Sequence, residues 1–236
     1  MIAIALSELR MLFRNRVVAL SALAIPLGLG ALLVWRGETV AGGASSAALL
    51  QILIMAGMGV YVTATTTLAA RRQTLTLKRL RSGTSSDPAV LAGLLLPVVV
   101  VNVIQIGVVL VALAATSTAP GNTALVIGSV ILTQLMLSGF ALATAGVTTS
   151  PEHAQFTTLP VFLLVVGVGL WVSFTGLEEL IWVKLALPGG AIAYLTTSGW
   201  NGTGGGEVVL AVAFAIAWTL VAAFVASRMF RWEPRR

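Results

Sequence analysis

Apolar residues run along this chain in six long blocks parted by short polar breaks, at 17–35, 47–70, 89–115, 123–147, 156–174 and 208–230. A helix needs about 20 mostly apolar residues to cross the hydrocarbon core of a bilayer, and every block is roughly that long. Each block therefore predicts a transmembrane helix. Ahead of the first block, Ile2, Leu6, Leu9 and Phe13 recur at helical spacing while Ser7, Arg10 and Arg14 take the other face. That pattern predicts an amphipathic helix over 1–16 lying in the membrane surface. An inward extension of the first span is the alternative. The expected fold is a single all-α integral membrane domain over 1–236.

Between the fifth and sixth blocks the pattern loosens. The segment 177–187 is apolar but carries Glu178, Glu179 and Lys184, and Pro188, Gly189 and Gly190 interrupt it before 191–195. It is too short and too charged to span. Irregular backbone at membrane depth must be buried in protein or face water, so short helices re-entering the outer leaflet fit best. The Gly-rich stretch 201–206 reads as a turn into the last span.

Composition agrees with the pattern. Of 236 residues, 58% are hydrophobic and 9% charged, where a soluble domain carries about 25% charged residues. The net charge of +6 would suggest nucleic acid for a soluble protein; here it reports orientation and anionic headgroups, and no nucleic-acid partner is expected. Arg10, Arg14, Arg16, Arg71, Arg72, Lys78, Arg79, Arg81, Arg228, Arg231, Arg235 and Arg236 fall on one side of six alternating spans, and only Arg36 and Lys184 on the other. Basic residues collect in cytoplasmic loops, so both termini are expected in the cytoplasm. The first block has 19 residues, longer than a signal-peptide core of about 7–15 residues, and is read as a retained span.

Catalytic chemistry is sparse. The chain has no cysteine, one histidine and eight acids, and it contains no HExxH, GxSxG or GxxxxGK[ST] pattern. No catalytic or metal-binding residue is predicted, and no cofactor is expected on the chain itself. His153, beside Glu152 in a short turn, reads as a solvated turn residue, since a lone histidine does not make a metal site. The block interiors hold no Asp, Glu, Lys, Arg or His, which disfavours ion-coupled transport through such groups. Their polar residues include Gln51, Thr63, Thr65, Thr66, Thr67, Asn102, Gln105 and Gln134. Asn102 and Gln105, three apart, share a helix face. Gln51, Thr63, Asn102, Gln105 and Gln134 are candidate lining for a substrate path, or else interhelical hydrogen-bonding groups. Gly57 with Gly59, and Gly167 with Gly169, read as close-contact sites, and Pro26, Pro97 and Pro160 as kinks.

The one sizeable connection on the basic side, 71–88, places Arg71, Arg72, Lys78 and Arg79 within about 120° of a helical wheel, with Leu77 and Leu80 pointing away. A short amphipathic helix is predicted, with Ser85, Ser86 and Asp87 capping the third span before Pro88. It either holds anionic headgroups or docks a cytoplasmic partner.

Four stretches bear on that choice: Ser7-Glu-Leu-Arg-Met-Leu-Phe-Arg-Asn15 leading to Pro26; Arg71-Arg-Gln-Thr-Leu-Thr-Leu-Lys-Arg-Leu-Arg81 followed by Asp87-Pro88; the Leu187-Pro-Gly-Gly190 break; and the tail Arg231-Trp-Glu-Pro-Arg-Arg236. In this order they resemble the permeases of type-2 ABC exporters, the membrane subunits of drug, antibiotic and polysaccharide exporters. The resemblance implies an interfacial N-terminal helix, six spans, a coupling helix between the second and third, and short outer helices between the fifth and sixth. It implies that Arg72, Thr74, Leu75, Leu77, Lys78, Leu80 and Arg81 couple to separate ATPase subunits that bind ATP and Mg. It further implies a homodimer, or a pair with a related permease, in a bacterial plasma membrane. The family's acidic residue and Gly-Thr-Leu step after the second span are replaced here by Arg71-Arg-Gln-Thr-Leu75. The rival classes are a membrane-embedded enzyme, for which only Glu178 and Glu179 offer acids side by side, and a non-transporting immunity or anchoring protein.

Overall fold

A computed structural model of the chain describes residues 27–32, 34, 35, 42–82, 86–176 and 179–232. All regular structure among them is helical. Helix α1 (Gly43–Ala56), a π-helical stretch (Gly57–Val62) and α2 (Thr63–Gln73) form one continuous rod, followed by the short α3 (Thr76–Arg81). Then come α4 (Asp87–Thr116), α5 (Thr123–Val147), α6 (Pro151–Thr175), the short α7 (Ile181–Ala186), α8 (Gly190–Asn201) and α9 (Glu207–Met229). The rod, α4, α5, α6 and α9 are long and apolar enough to cross a membrane, five candidate spans among the described residues. Of the predicted first span, residues 27–32, 34 and 35 are described, and they are helical. The rest of 17–35 and the whole of the predicted 1–16 helix lie outside the described residues.

Helix α5 spans the residues its apolar block predicts, and the other spans overrun theirs by one to five residues at an end. Capping chemistry, which a count of apolar residues ignores, sets the true ends. The Ser150 hydroxyl accepts the His153 N–H at 3.3 Å and Pro151 takes the first turn, so α6 begins five residues before its apolar block. Asn122 Oδ1 accepts the Leu125 N–H at 3.2 Å and starts α5. At α4 the predicted capping does not occur as read. Ser86 sits at the cap without a side-chain bond, Ser85 lies outside the described residues, and the Asp87 carboxylate instead pairs with Arg81 Nε at 3.3 Å. Pro97 and Pro160 lie inside α4 and α6, which continue through them.

Helix α5 lies at the centre, packed along α9, α8 and α2. Small side chains such as Ala47, Ala48, Ala141, Ala211, Ala215 and Ala222 fill the contacts between helices, where lipid gives no hydrophobic incentive and van der Waals fit decides. Gly57 and Gly169 lie against Phe162 and Leu53, as close-contact glycines should; a Cβ on Gly167 would meet open space, so that residue is no contact site.

The loosened region after α6 folds as a hairpin. Trp218, near the middle of α9, donates its indole N–H to Ala186 O at 2.9 Å, and Gly189 lies against the Val165 carbonyl near the middle of α6. The 187–189 turn thus reaches halfway along the bundle. From there α8 runs back, longer than the predicted 191–195, to Trp200 O and Gly199 O, which accept the N–H groups of Gly121 and Asn122 at 3.0 and 2.7 Å. Gly189 has φ +98° and an added Cβ would run into that carbonyl, so a side chain there is excluded twice over. Lys184, read from the sequence as a loop charge, is buried: its Nζ donates to Gly176 O at 2.7 Å and lies 5.2 Å from the Trp171 ring centre.

Candidate functional site

Apart from Lys184 on α7, the basic residues that the described helices carry gather at one end of the bundle, where α2 ends, α4 begins, α5 turns into α6 and α9 finishes. The sequence predicts one helix through 71–81; the structure has two. Thr74 turns its hydroxyl back to Ala70 O and Arg71 O, both at 3.2 Å, and the next residue, Leu75, adopts φ +57° in the left-handed region. A threonine hydroxyl competing for backbone acceptors at a helix end, followed by a left-handed residue, stops α2 and redirects the chain into α3.

This break separates residues that the wheel placed together. Arg72 stays on α2 and is buried, its Nη1 donating to Ala145 O at 2.7 Å and its Nη2 to Thr148 O. A guanidinium fork suits the converging carbonyls of a helix C-terminus, where the dipole also favours a cation. Gln73 Nε2 adds a bond to Thr149 O at 3.3 Å. The end of α2 is thereby tied to the α5–α6 turn. That turn is itself laced by Thr148 Oγ1 to Thr157 Oγ1 at 2.8 Å and by Thr149 Oγ1 to His153 Nδ1 at 2.6 Å. His153 is exposed and serves the turn.

Helix α3 has two faces. Leu77 is fully buried with Leu68, Val90, Leu94 and Ala145, and Leu80, Phe230 and Trp232 close the cluster. Leu77 is therefore core of this chain and not available to a partner. Thr74, Leu75, Lys78, Arg79 and Arg81 are exposed, and Leu75 presents an unburied leucine, 44% accessible, between cations. The result is a short helix seated on three spans, with a basic outer face carrying one apolar point.

The second set of predicted residues sits at mid-span. Asn102 Nδ2 donates to Met55 O at 2.9 Å and Gln134 Nε2 donates to Asn102 Oδ1 at 2.6 Å, which joins α1, α4 and α5. Gln51, Asn102, Gln105 and Gln134 are all buried. Gly59 makes this possible, since a Cβ there would fall 2.1 Å from Asn102 Nδ2. Gln51 Nε2 and Gln134 Oε1 find no partner among the described residues, and Gly30 of the 27–32 segment lies against Gln51. Thr63 does not join the group: it is exposed and bonds Met58 O, five residues back, at 2.9 Å, in keeping with the π-helical register. These amides act as an interhelical fastening.

Sequence reasoning missed Tyr61, whose buried hydroxyl pairs with Thr144 Oγ1 at 2.9 Å, and the buried state of Arg72 and Lys184. No sequence signal separates a buried loop cation from an exposed one, because carbonyls supplied by other helices make the difference. Among the described residues no group of three His, Asp or Glu side chains is placed to hold a metal. Compared with protein-family models, curated proteins and solved structures, the chain matches none significantly.

Proposed function

We propose that the chain is the membrane-spanning subunit of an ATP-driven exporter, with α3 as its coupling element. The observation that carries this reading is the construction of the basic end. A helix outside the spans is fixed from beneath by Leu77, flanked by the Arg72 tie to the α5–α6 turn, and offers Leu75, Lys78 and Arg79 outward. A push on that face reaches α2, α4, α5 and α6 without first deforming a loose loop, as a helix transmitting the closure of ATPase subunits requires. ATP and Mg belong to those partner subunits.

In this reading the basic end is cytoplasmic, the block 17–35 completes six spans, and the α7–α8 hairpin re-enters from the outer face of a bacterial plasma membrane. A homodimer, or a pair with a related permease, forms the path for export. The buried amides fasten the protomer, so the path lies between protomers.

The test is co-purification of the full-length chain with the ABC ATPase encoded beside its gene. Lys78→Glu with Arg79→Glu is the informative variant, because Leu77→Asp would unfold the satellite core and lose the complex for the wrong reason. Wild type should form a complex that hydrolyses ATP, and the charge reversal should abolish it in a chain that still folds. A wild-type chain that binds no ATPase refutes the reading.

A further inference from the structure

At the basic end, α4 and α9 diverge above α5 and leave an open groove of about 490 Å³. Its walls are apolar, with Leu91 on α4, Leu135 and Leu142 on α5, Ala223 on α9, and Phe230 and Trp232 closing the end. From Leu135 to Leu142 it runs about 10 Å along α5, from mid-span to the basic end. Two hydroxyls that line it are already committed: Thr219 Oγ1 donates to Ala215 O at 2.9 Å and Ser227 Oγ to Phe224 O at 2.7 Å. A polar ligand would find few directional partners along this length, and the groove suits an alkyl chain.

The mouth has the opposite chemistry. The Arg81 guanidinium, about half exposed, sits 5.4 Å from the Trp232 ring centre and pairs with Asp87, which lines the groove. Trp232 packs edge to face on Phe230 at 5.3 Å, an amphipathic ring at the level where a bilayer changes from chains to headgroups. Arg228 and Arg231 near the end of α9 are exposed as well, so among the described residues cations outnumber the single carboxylate at this mouth.

We propose that this groove binds one anionic phospholipid, its acyl chain between α4 and α9 and its phosphate at Arg81. A second copy of the chain is a poorer occupant, because a two-fold contact through this face would set the same arginines against each other. The inference depends on α4, α5 and α9 crossing a membrane and is independent of any ATPase.

Native mass spectrometry of the full-length chain in detergent tests it, with phosphatidylglycerol and phosphatidylcholine of identical chains as probes. Wild type should retain one phosphatidylglycerol about fivefold more strongly than phosphatidylcholine, the factor that one basic residue near an anionic headgroup provides. Arg81→Gln should bring the ratio near one, and Ser138→Leu with Ala223→Leu, filling the groove, should lose both lipids. Should the filled variant not fold, the Arg81→Gln ratio decides. Equal retention of both lipids by wild type, undiminished binding in a folded filled variant, or a dimer of the Ala223→Cys variant cross-linked through that cysteine would overturn the proposal.

Discussion

Each end of the bundle buries a cation, and the two are held differently. At the basic end Arg72 spreads its guanidinium over carbonyls of Ala145, Gly146 and Thr148, where α5 finishes. At the far end the Lys184 ammonium reaches a single carbonyl, Gly176 O, where α6 finishes, and rests against the Trp171 ring. Both exploit the negative end of a helix dipole, and both replace water with backbone oxygen. Arg72 ties α2 to the end of α5 at a place that α3 also occupies, whereas Lys184 closes a local turn. The comparison teaches that a cation near a helix end in a membrane protein can be structural, and that its reach, set by the number of carbonyls it collects, decides how much structure depends on it.

The largest effect should come from Arg72→Met, which strips the α5 C-terminus of the Arg72 guanidinium and costs about 3 kcal/mol, as loss of charge-assisted bonds does. Unfolding in mixed micelles measures it. Arg72→Lys should recover less than half, because an ammonium does not reproduce the planar fork. Full recovery by lysine would make the two ends equivalent and break the comparison. Lys184→Met should cost less, about 1.5 kcal/mol, for one carbonyl bond and the contact with Trp171. Its partner variant Trp171→Leu, read in the same assay, separates the ring from the carbonyl.

The fold was legible where the governing physics is local to one helix. Apolar block length located α4, α5, α6 and α9, since a span depends on its own residues. The first turn of α6 was not legible, because Ser150 fixes it through a single hydrogen bond outside the apolar block. Within the candidate site the loss was greater. A wheel assumes one axis from Arg71 to Arg81, and the left-handed Leu75 divides that axis, sending Arg72 into the core and leaving Lys78 and Arg79 outside. Leu77 was rightly set apart from the cations, but only the position of Val90, Leu94 and Ala145 shows that its apolar surface is already covered. At mid-span the shared face of Asn102 and Gln105 was readable from spacing, while the partners of Asn102 on other helices were not.

The smallest effect expected belongs to that middle region, and it asks whether the rule of the two ends holds without charge. Asn102 joins Met55 O on one side and Gln134 on the other, side chain to backbone carbonyl and then amide to amide. Asn102→Ala should cost about 1 kcal/mol, since hydrogen bonds between membrane helices are individually weak and the unfolded chain in lipid finds other partners. Gln134→Ala should cost less, because its bond to Asn102 is lost while the link to Met55 O survives. A double-mutant cycle over the two isolates the amide pair, with a coupling of about 0.6 kcal/mol expected. A coupling comparable to the Arg72 effect would mean that the neutral amides fasten the bundle as strongly as the cation at the basic end. A value near zero would leave helix packing around Gly59 as the source of their burial, with the hydrogen bonds its consequence.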